Sequence, residues 1–230
     1  MSIDKFEGKA THYEKGRPSY PAEVIAYLKA LVHEDAVIAD IGAGTGKLTE
    51  LMAQVGFEVF AVEPNGDMYA QLQKTLTNYP KASTILGTSE MTTLEVKSID
   101  MITVAQALHW FDLEKFRAEC QRILKPNGWV VALYNNGVGQ NGEVAEKASH
   151  RLEATHQFFT MPTVKEFEHP ITYTRSTWQS YMLSHSYSPV PSDENYEAFV
   201  YEINQIFDNE SKDGIMHRKL ITSVYAQQLD

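Results

Sequence analysis

Hydrophobic positions alternate between two spacings along the first 135 residues. Segments in which apolar residues recur every three or four positions predict amphipathic helices. Between them stand short, continuously apolar runs, which are typical of buried parallel strands. The predicted helices cover about 21–32, 48–55, 65–76 and 113–124, and the predicted strands cover 36–41, 58–62, 83–86, 99–105 and 129–134. Alternating strands and helices favour an α/β fold with a doubly wound, Rossmann-like, mostly parallel sheet.

The last hundred residues are less regular. Their pattern predicts helices at 144–156, 178–183 and 196–207 and strands at 171–174 and 220–225. Before them, the turn signals at 125–128 predict a turn ahead of the fifth strand. No repeat or low-complexity linker divides the sequence, so we expect one domain over 1–230.

Composition and charge narrow the function classes. The formal net charge of −10 would repel a phosphate backbone, so nucleic acid is not expected as a partner. Residues 1–20 contain no continuous apolar run, which predicts neither a signal peptide nor a membrane span and favours a cytoplasmic location. Cys120 is the only cysteine and no histidines show ligand spacing, so no metal site is expected.

A glycine-rich loop, with Gly42, Gly44 and Gly46, follows the first predicted strand. Ligands of open parallel sheets bind beyond the carboxyl ends of the strands, and glycines let the backbone approach them closely. Glu63 ends the second predicted strand about twenty residues later, the distance at which a carboxylate reaches ribose hydroxyls. Together these features fit any adenosine-containing cofactor.

The spacing of this loop argues against a dinucleotide. A nicotinamide-dependent oxidoreductase needs a third glycine at the sixth position from Gly42, where this chain has Lys47. Asp40 precedes the first glycine by two residues, and a buried carboxylate there suits the positive charges of S-adenosylmethionine better than a pyrophosphate.

Four motifs that follow one another along the chain support the interpretation that the loop binds S-adenosylmethionine. They are DIGAGTG at 40–46, VEP at 62–64, AQALHWF at 105–111 and ILKPNG at 123–128. With them the chain resembles the class I S-adenosylmethionine-dependent methyltransferases, and among these the small-molecule, trans-aconitate methyltransferase-like group. The resemblance extends from about residue 13 to residue 134. It departs from the family at Gly87-Thr88, where many relatives have an acidic residue that contacts adenine.

The resemblance implies S-adenosyl-L-methionine as cofactor and divides the chain into an N-terminal arm and helix (1–34), a cofactor-binding core (35–135) and a C-terminal part with substrate-pocket helices and closing strands (136–230). The arm and C-terminal insertions would form a helical cap. The implied cofactor-binding residues are Tyr13 at the sulfonium, Asp40, Gly42, Gly44, Gly46 and Gln106 near the methionine end, Glu63 at the ribose, Asn65 and Met68 beside the adenosine, and Ser89 and Glu90 at the adenine edge.

The expected reaction is methyl transfer to a small-molecule acceptor, at a carboxylate or hydroxyl oxygen. His109 is the candidate base for a hydroxyl acceptor, and Arg17, His109 and Trp110 are candidate substrate contacts. His109 and Trp110 could equally be a packed aromatic pair. A quinone-biosynthesis-type C-methyltransferase and a non-catalytic S-adenosylmethionine-binding protein remain alternatives, and the sequence allows a monomer or a homodimer.

Overall fold

A computed structural model describes residues 7–138 and 149–229 of the chain. The helices are α1 (Ala10–Gly16), α2 (Ala22–Leu31), α3 (Lys47–Gln54), α4 (Gly66–Thr75), α5 (Leu113–Ile123), α6 (Ser149–Phe158), α7 (Arg175–Leu183) and α8 (Tyr196–Glu210). The strands are β1 (Val37–Ile41), β2 (Glu58–Glu63), β3 (Ala82–Leu86), β4 (Ile99–Ala105), β5 (Leu124–Gly137), β6 (Thr163–Tyr173) and β7 (Met216–Gln228).

These strands form one sheet in the order β3-β2-β1-β4-β5-β7-β6. The first five are parallel, whereas β7 runs antiparallel to both β5 and β6. The strand order reverses between β1 and β4, which is where an open α/β sheet forms its ligand cleft. The predicted fold class, a doubly wound and mostly parallel sheet, is confirmed.

Both faces of the sheet are covered. Ile38 and Met101 pack with Val24 and Leu28 of α2 and Met52 of α3 on one face. On the other face, Ile102 and Val130 pack with α5 and α6 in a cluster that includes the buried side chains of Phe116, Cys120 and Phe158. The buried strands therefore read as continuous apolar runs, and Cys120 is buried among apolar side chains, as its helical spacing predicts.

The predicted elements of the first 123 residues match α2 to α5 and β1 to β4. β5 begins at Leu124, earlier than the predicted strand, but residues 125–128 leave the pairing with β4 between Leu124 and Trp129, and Asn127 is in the left-handed region at φ +61°, so the chain turns where the sequence predicts. Residues 144–148 of the predicted helix 144–156 lie outside the described residues, and α6 covers the rest.

Two strand predictions were too short. The predicted strand 171–174 is the end of β6, which begins at Thr163, and the predicted strand 220–225 is the middle of β7. β6 lies at the edge of the sheet, and polar residues occupy much of it, so its apolar pattern is weak. The helix predicted at 178–183 begins at Arg175, because Thr174 and Thr177 form a capping box.

In the described part of the chain, helices long and apolar enough to cross a membrane do not occur.

Candidate cofactor and acceptor site

The glycine-rich loop is fixed to the end of β2 by backbone hydrogen bonds. Gly42 and Ala43 donate to the carbonyl oxygen of Val62 at 2.8 and 3.1 Å. Gly42 has φ +71°, and a Cβ there would lie 2.8 Å from the Cβ of Ala107, beyond β4. A side chain at Gly42 would thus be strained and would push apart the loops after β1 and β4, which border the cleft.

Glu63 forms the floor of the cleft. Its side chain is 7% exposed, and its two oxygens accept from the backbone N–H groups of Gly44, at 2.8 Å, and Asn65, at 2.9 Å. Burial raises the pKa of this carboxyl, the two hydrogen bonds oppose the rise, and nearby Asp40 adds to it. Because each carboxylate oxygen can accept more than one hydrogen bond, Glu63 keeps acceptor capacity for hydroxyl groups.

Asp40 lies beneath the loop and is fully buried. Its oxygens accept from the hydroxyls of Thr49 on α3, at 2.6 Å, and Thr103 on β4, at 2.8 Å. Burial raises the pKa of Asp40 to about 6, although both hydroxyl bonds counteract that effect. These contacts join β1, α3 and β4 behind the cleft, and the predicted role of Asp40 at the methionine end stays a prediction.

The residues expected around adenosine lie after β2 and β3. Asn65 caps α4 by accepting from the N–H of Met68 at 3.0 Å, and Met68 is buried. Ser89 is buried, and Glu90 accepts from the N–H of Asp112 at 3.3 Å, which links the loop after β3 to the start of α5. Gly46, whose Cβ would lie 2.8 Å from Leu72 of α4, closes the glycine loop against the same helix.

The N-terminal arm contains a helix, α1, that covers the loop. The nearest atom of the Tyr13 ring is 3.7 Å from where a Cβ on Gly44 would stand. A Cβ on Gly16 would overlap the backbone of Tyr181, so α1 and α7 are in backbone contact. The ammonium of Lys9 donates to the carbonyl oxygens of His185, at 2.7 Å, and Ser188, at 2.6 Å. α1 is thus held against α7 at Gly16 and, through Lys9, against the segment that follows α7.

Several buried polar atoms near this end of the sheet have no hydrogen-bond partner among the described residues, among them Thr45 Oγ1, Ser89 Oγ, Gln106 Oε1 and Arg17 Nε. Such atoms are costly inside a folded protein unless a ligand or water meets them. Gln106 also has a left-handed backbone, with φ +60°, which is strained for a residue with a side chain. Strain and an unused acceptor at the end of β4 point to ligand binding there.

His109 and Trp110 lie in a short 3-10 helix, Leu108–Trp110, after β4. Their ring centroids are 4.7 Å apart, and that of Tyr134 is 6.5 Å from that of His109. Both residues also line an open cavity of about 600 Å³, together with Glu153 and Gln157 of α6. The pair is thus packed and at the same time borders a space large enough for a small acceptor.

The structure also brings to the cleft residues that were not predicted as site residues, including Tyr181, whose spacing predicted packing on one helix face. Arg151 of α6 lies over the Tyr134 ring, at 5.9 Å from its centroid, and Tyr181 of α7 lies 5.6 Å from the guanidinium of Arg17. Thr49 and Thr103 are the partners of Asp40. The helical pattern predicts the helix that carries Arg151, but only the position of α6 against β5 shows that this side chain faces the cleft.

Residues 39–132 match the family model described as a methyltransferase domain. An uncharacterized methyltransferase of Mycobacterium tuberculosis is 40% identical over 134 residues, which are 58% of this chain and 53% of that protein. The chain spans about half the length of the curated relatives it matches.

Two solved structures share the fold. A candidate type II methyltransferase of Anaeromyxobacter dehalogenans has a TM-score of 0.67 and 21% identity, with 92% of this chain and 97% of that chain covered. Haemonchus contortus phosphoethanolamine N-methyltransferase 2, solved with phosphomonomethylethanolamine and S-adenosylhomocysteine, has a TM-score of 0.55 and 15% identity, with 96% of this chain and 57% of that chain covered. The family model and the curated relatives show that this chain is similar to methyltransferases, and the two solved structures show a shared fold.

Proposed function

We propose that the protein transfers a methyl group from S-adenosylmethionine to an oxygen atom of a small-molecule acceptor. The observation that supports this best is the cleft at the strand-order reversal, where Glu63 is buried against the N–H of Gly44 and the unpartnered atoms of Thr45 and Gln106 lie nearby. The methyltransferase family match over residues 39–132 covers the same loop.

The residues present fit this cofactor. Glu63 would accept from the ribose hydroxyls, and Gln106 Oε1, which is buried and has no partner in the described chain, would accept from the ammonium of the methionine part. Tyr13 would shield the sulfonium, because the face of an aromatic ring attracts a cation. When bound, S-adenosylmethionine supplies an electrophilic methyl group. The complex of the Haemonchus relative with S-adenosylhomocysteine supports the same cofactor here.

The acceptor would enter from the cavity beside His109. Methyl transfer is an in-line displacement, so holding the acceptor oxygen at attack distance supplies much of the rate acceleration. His109 would take the proton of a hydroxyl acceptor, whereas a carboxylate acceptor is already ionised at pH 7 and needs no base. Closure of α1 and α7 over Gly44 would exclude water from the methyl group.

Calorimetric titration tests the cofactor. S-adenosylhomocysteine should bind and raise the melting temperature through mass action, whereas NAD should not bind, because Lys47 replaces the third glycine of the dinucleotide fingerprint. Binding of NAD without binding of S-adenosylhomocysteine contradicts the proposal. A screen of small carboxylates, phenols and amines for production of S-adenosylhomocysteine then separates an enzyme from a protein that only binds the cofactor.

A further inference from the structure

Two arginines stack on aromatic side chains near the arm and the C-terminal helices. Arg17 follows α1, and its guanidinium lies 5.3 Å from the ring centroid of Tyr13 and 5.6 Å from that of Tyr181. Arg151 projects from α6 over the ring of Tyr134. The positive charge of Arg17 adds to the lowering that burial causes in the pKa of Arg151, so the two guanidiniums are electrostatic neighbours.

Neither arginine is neutralised by a carboxylate in the described part of the chain. The ion pairs found there, at N···O distances up to 4.0 Å, involve other residues. Arg17 donates only to the carbonyl oxygen of Ser184, at 3.3 Å, and its Nε has no partner among the described groups. The nearby carboxyls are otherwise engaged: Asp40 by two threonine hydroxyls and Glu63 by two backbone N–H groups.

A charge count shows an excess of positive charge when the cofactor is bound. The two guanidiniums and the buried carboxylates of Asp40 and Glu63 are equal in number, and S-adenosylmethionine, with one carboxylate, one ammonium and one sulfonium, adds a net positive charge. Its carboxylate can neutralise one arginine. Partly buried like charges need a compensating anion, and planar guanidinium groups bind carboxylate and phosphate oxygens in pairs.

We propose, on the basis of the proposed function, that the methyl acceptor carries an anionic group, a carboxylate or a phosphate monoester, which Arg151 binds. Arg151 is placed for this role because Tyr134, beneath its guanidinium, neighbours His109 at the acceptor cavity. Arg17 would hold the cofactor carboxylate and adjoin the acceptor anion. Arg151 is then a specificity-determining residue that selects acidic acceptors over neutral ones of equal size.

Matched ligand pairs test this on the full chain with bound S-adenosylhomocysteine. Glutarate, benzoate and phenyl phosphate are titrated beside glutaramide, benzamide and phenol. At least one anion should bind about tenfold or more tightly than its neutral counterpart, because a charged hydrogen-bonded pair is worth at least that ratio. The probe that binds also shows whether carboxylate or phosphate is preferred.

Variants then assign the preference to a residue. Arg151→Gln should abolish the preference for the anion, and Arg151→Lys, which keeps the charge, should retain part of it and covers the case in which the glutamine variant does not fold. The matched control is Arg175→Gln, an exposed arginine paired with Asp208, which should behave as the unmodified chain.

The outcomes separate the two proposals. If S-adenosylhomocysteine binds but no anion is preferred over its neutral counterpart at millimolar concentration, or if Arg151→Gln keeps the preference, the inference is wrong while the proposed function stands. If S-adenosylhomocysteine does not bind, both proposals fall.

Discussion

Two buried carboxylates lie on neighbouring strands of the cleft and differ in the groups that surround them. Asp40 on β1 faces hydroxyls of the protein interior, whereas Glu63 on β2 faces the glycine loop. Burial raises the pKa of both, but Glu63 remains next to the ligand cleft and Asp40 does not reach solvent. The two residues therefore allow separate tests of cofactor binding and of the stability of the cleft.

Glu63→Ala should weaken binding of S-adenosylhomocysteine about 10- to 100-fold, since a lost hydrogen bond to a charged group costs roughly 1.5 to 3 kcal/mol. The variant also leaves the N–H groups of Gly44 and Asn65 without their acceptor, so Glu63→Gln, which keeps one carbonyl oxygen, should lose less. Calorimetry measures both. Glu58→Ala, at the exposed opposite end of the same strand, is the control, and equal affinities for all variants would place the ribose elsewhere.

Asp40→Asn should change how stability depends on pH. The folded protein holds the Asp40 proton more tightly than the unfolded chain does, so the free energy of unfolding falls as pH rises from about 4 to about 6 and the loss is complete above the folded pKa. A rise from 3.8 to about 6 corresponds to about 3 kcal/mol. Asparagine does not titrate, so the variant should lack this decline.

Urea unfolding at pH 4.5, 6 and 7.5 without ligand provides the measurement. The hydroxyls of Thr49 and Thr103 can rotate to accept from the asparagine amide, which keeps the buried group satisfied. Exposed Asp35→Asn serves as the reference substitution. A pH profile of Asp40→Asn that parallels the unmodified chain would show that Asp40 contributes no pH dependence.

At the level of elements, α1 and α7 form one unit. Gly16 allows their backbones to touch, and Lys9 bonds to the carbonyls that follow α7. Gly16→Ala should separate the helices and release the arm from the glycine loop, because the added Cβ meets backbone atoms that cannot rotate away. We expect weaker binding of S-adenosylhomocysteine in this variant.

Hydrogen exchange measures the docking of the arm directly. In the unmodified chain, residues 12–20 and 175–183 should gain protection together when S-adenosylhomocysteine is added, since they close over the same ligand. In Gly16→Ala this gain should be lost. Gly137→Ala, where a Cβ meets no atom of the described residues within 4 Å, is the matched control. If the arm is equally protected with and without the ligand in both proteins, α1 does not close on binding.

Local patterns predicted the central elements and the glycine cleft because amphipathic helices and buried strands each have a recognisable spacing of apolar residues. The sequence of α1 has no such spacing, since its segment ATHYEKG is mostly polar, and tertiary contacts to α7 account for its position. The threonine partners of Asp40 were not predicted either, since Thr103 depends on the register of β1 against β4 and Thr49 on how α3 packs against β1. Predicting Arg151 as a residue of the site would have required knowing which face of α6 packs toward β5.

At the scale of the whole molecule, the sheet has a parallel part and an antiparallel part. Five parallel strands carry the cleft, and the antiparallel β7 attaches β6 to them. The parallel part matches the family model, which ends at residue 132, whereas the remaining residues supply α6 and α7, which border the cleft. Arg151, which we propose to select the acceptor, therefore lies outside the family match, where sequence patterns are weakest.

The position of β7 between β5 and β6 also has a consequence for synthesis. β7 emerges from the ribosome after the other six strands. β6 pairs with no other strand of the described sheet, and one edge of β5 stays unpaired until β7 is made. Until residues 216–228 are available, the nascent chain exposes an unpaired edge beside an unfinished core, which is a template for aggregation. Chaperone demand during translation should therefore peak late, when the parallel half is already complete.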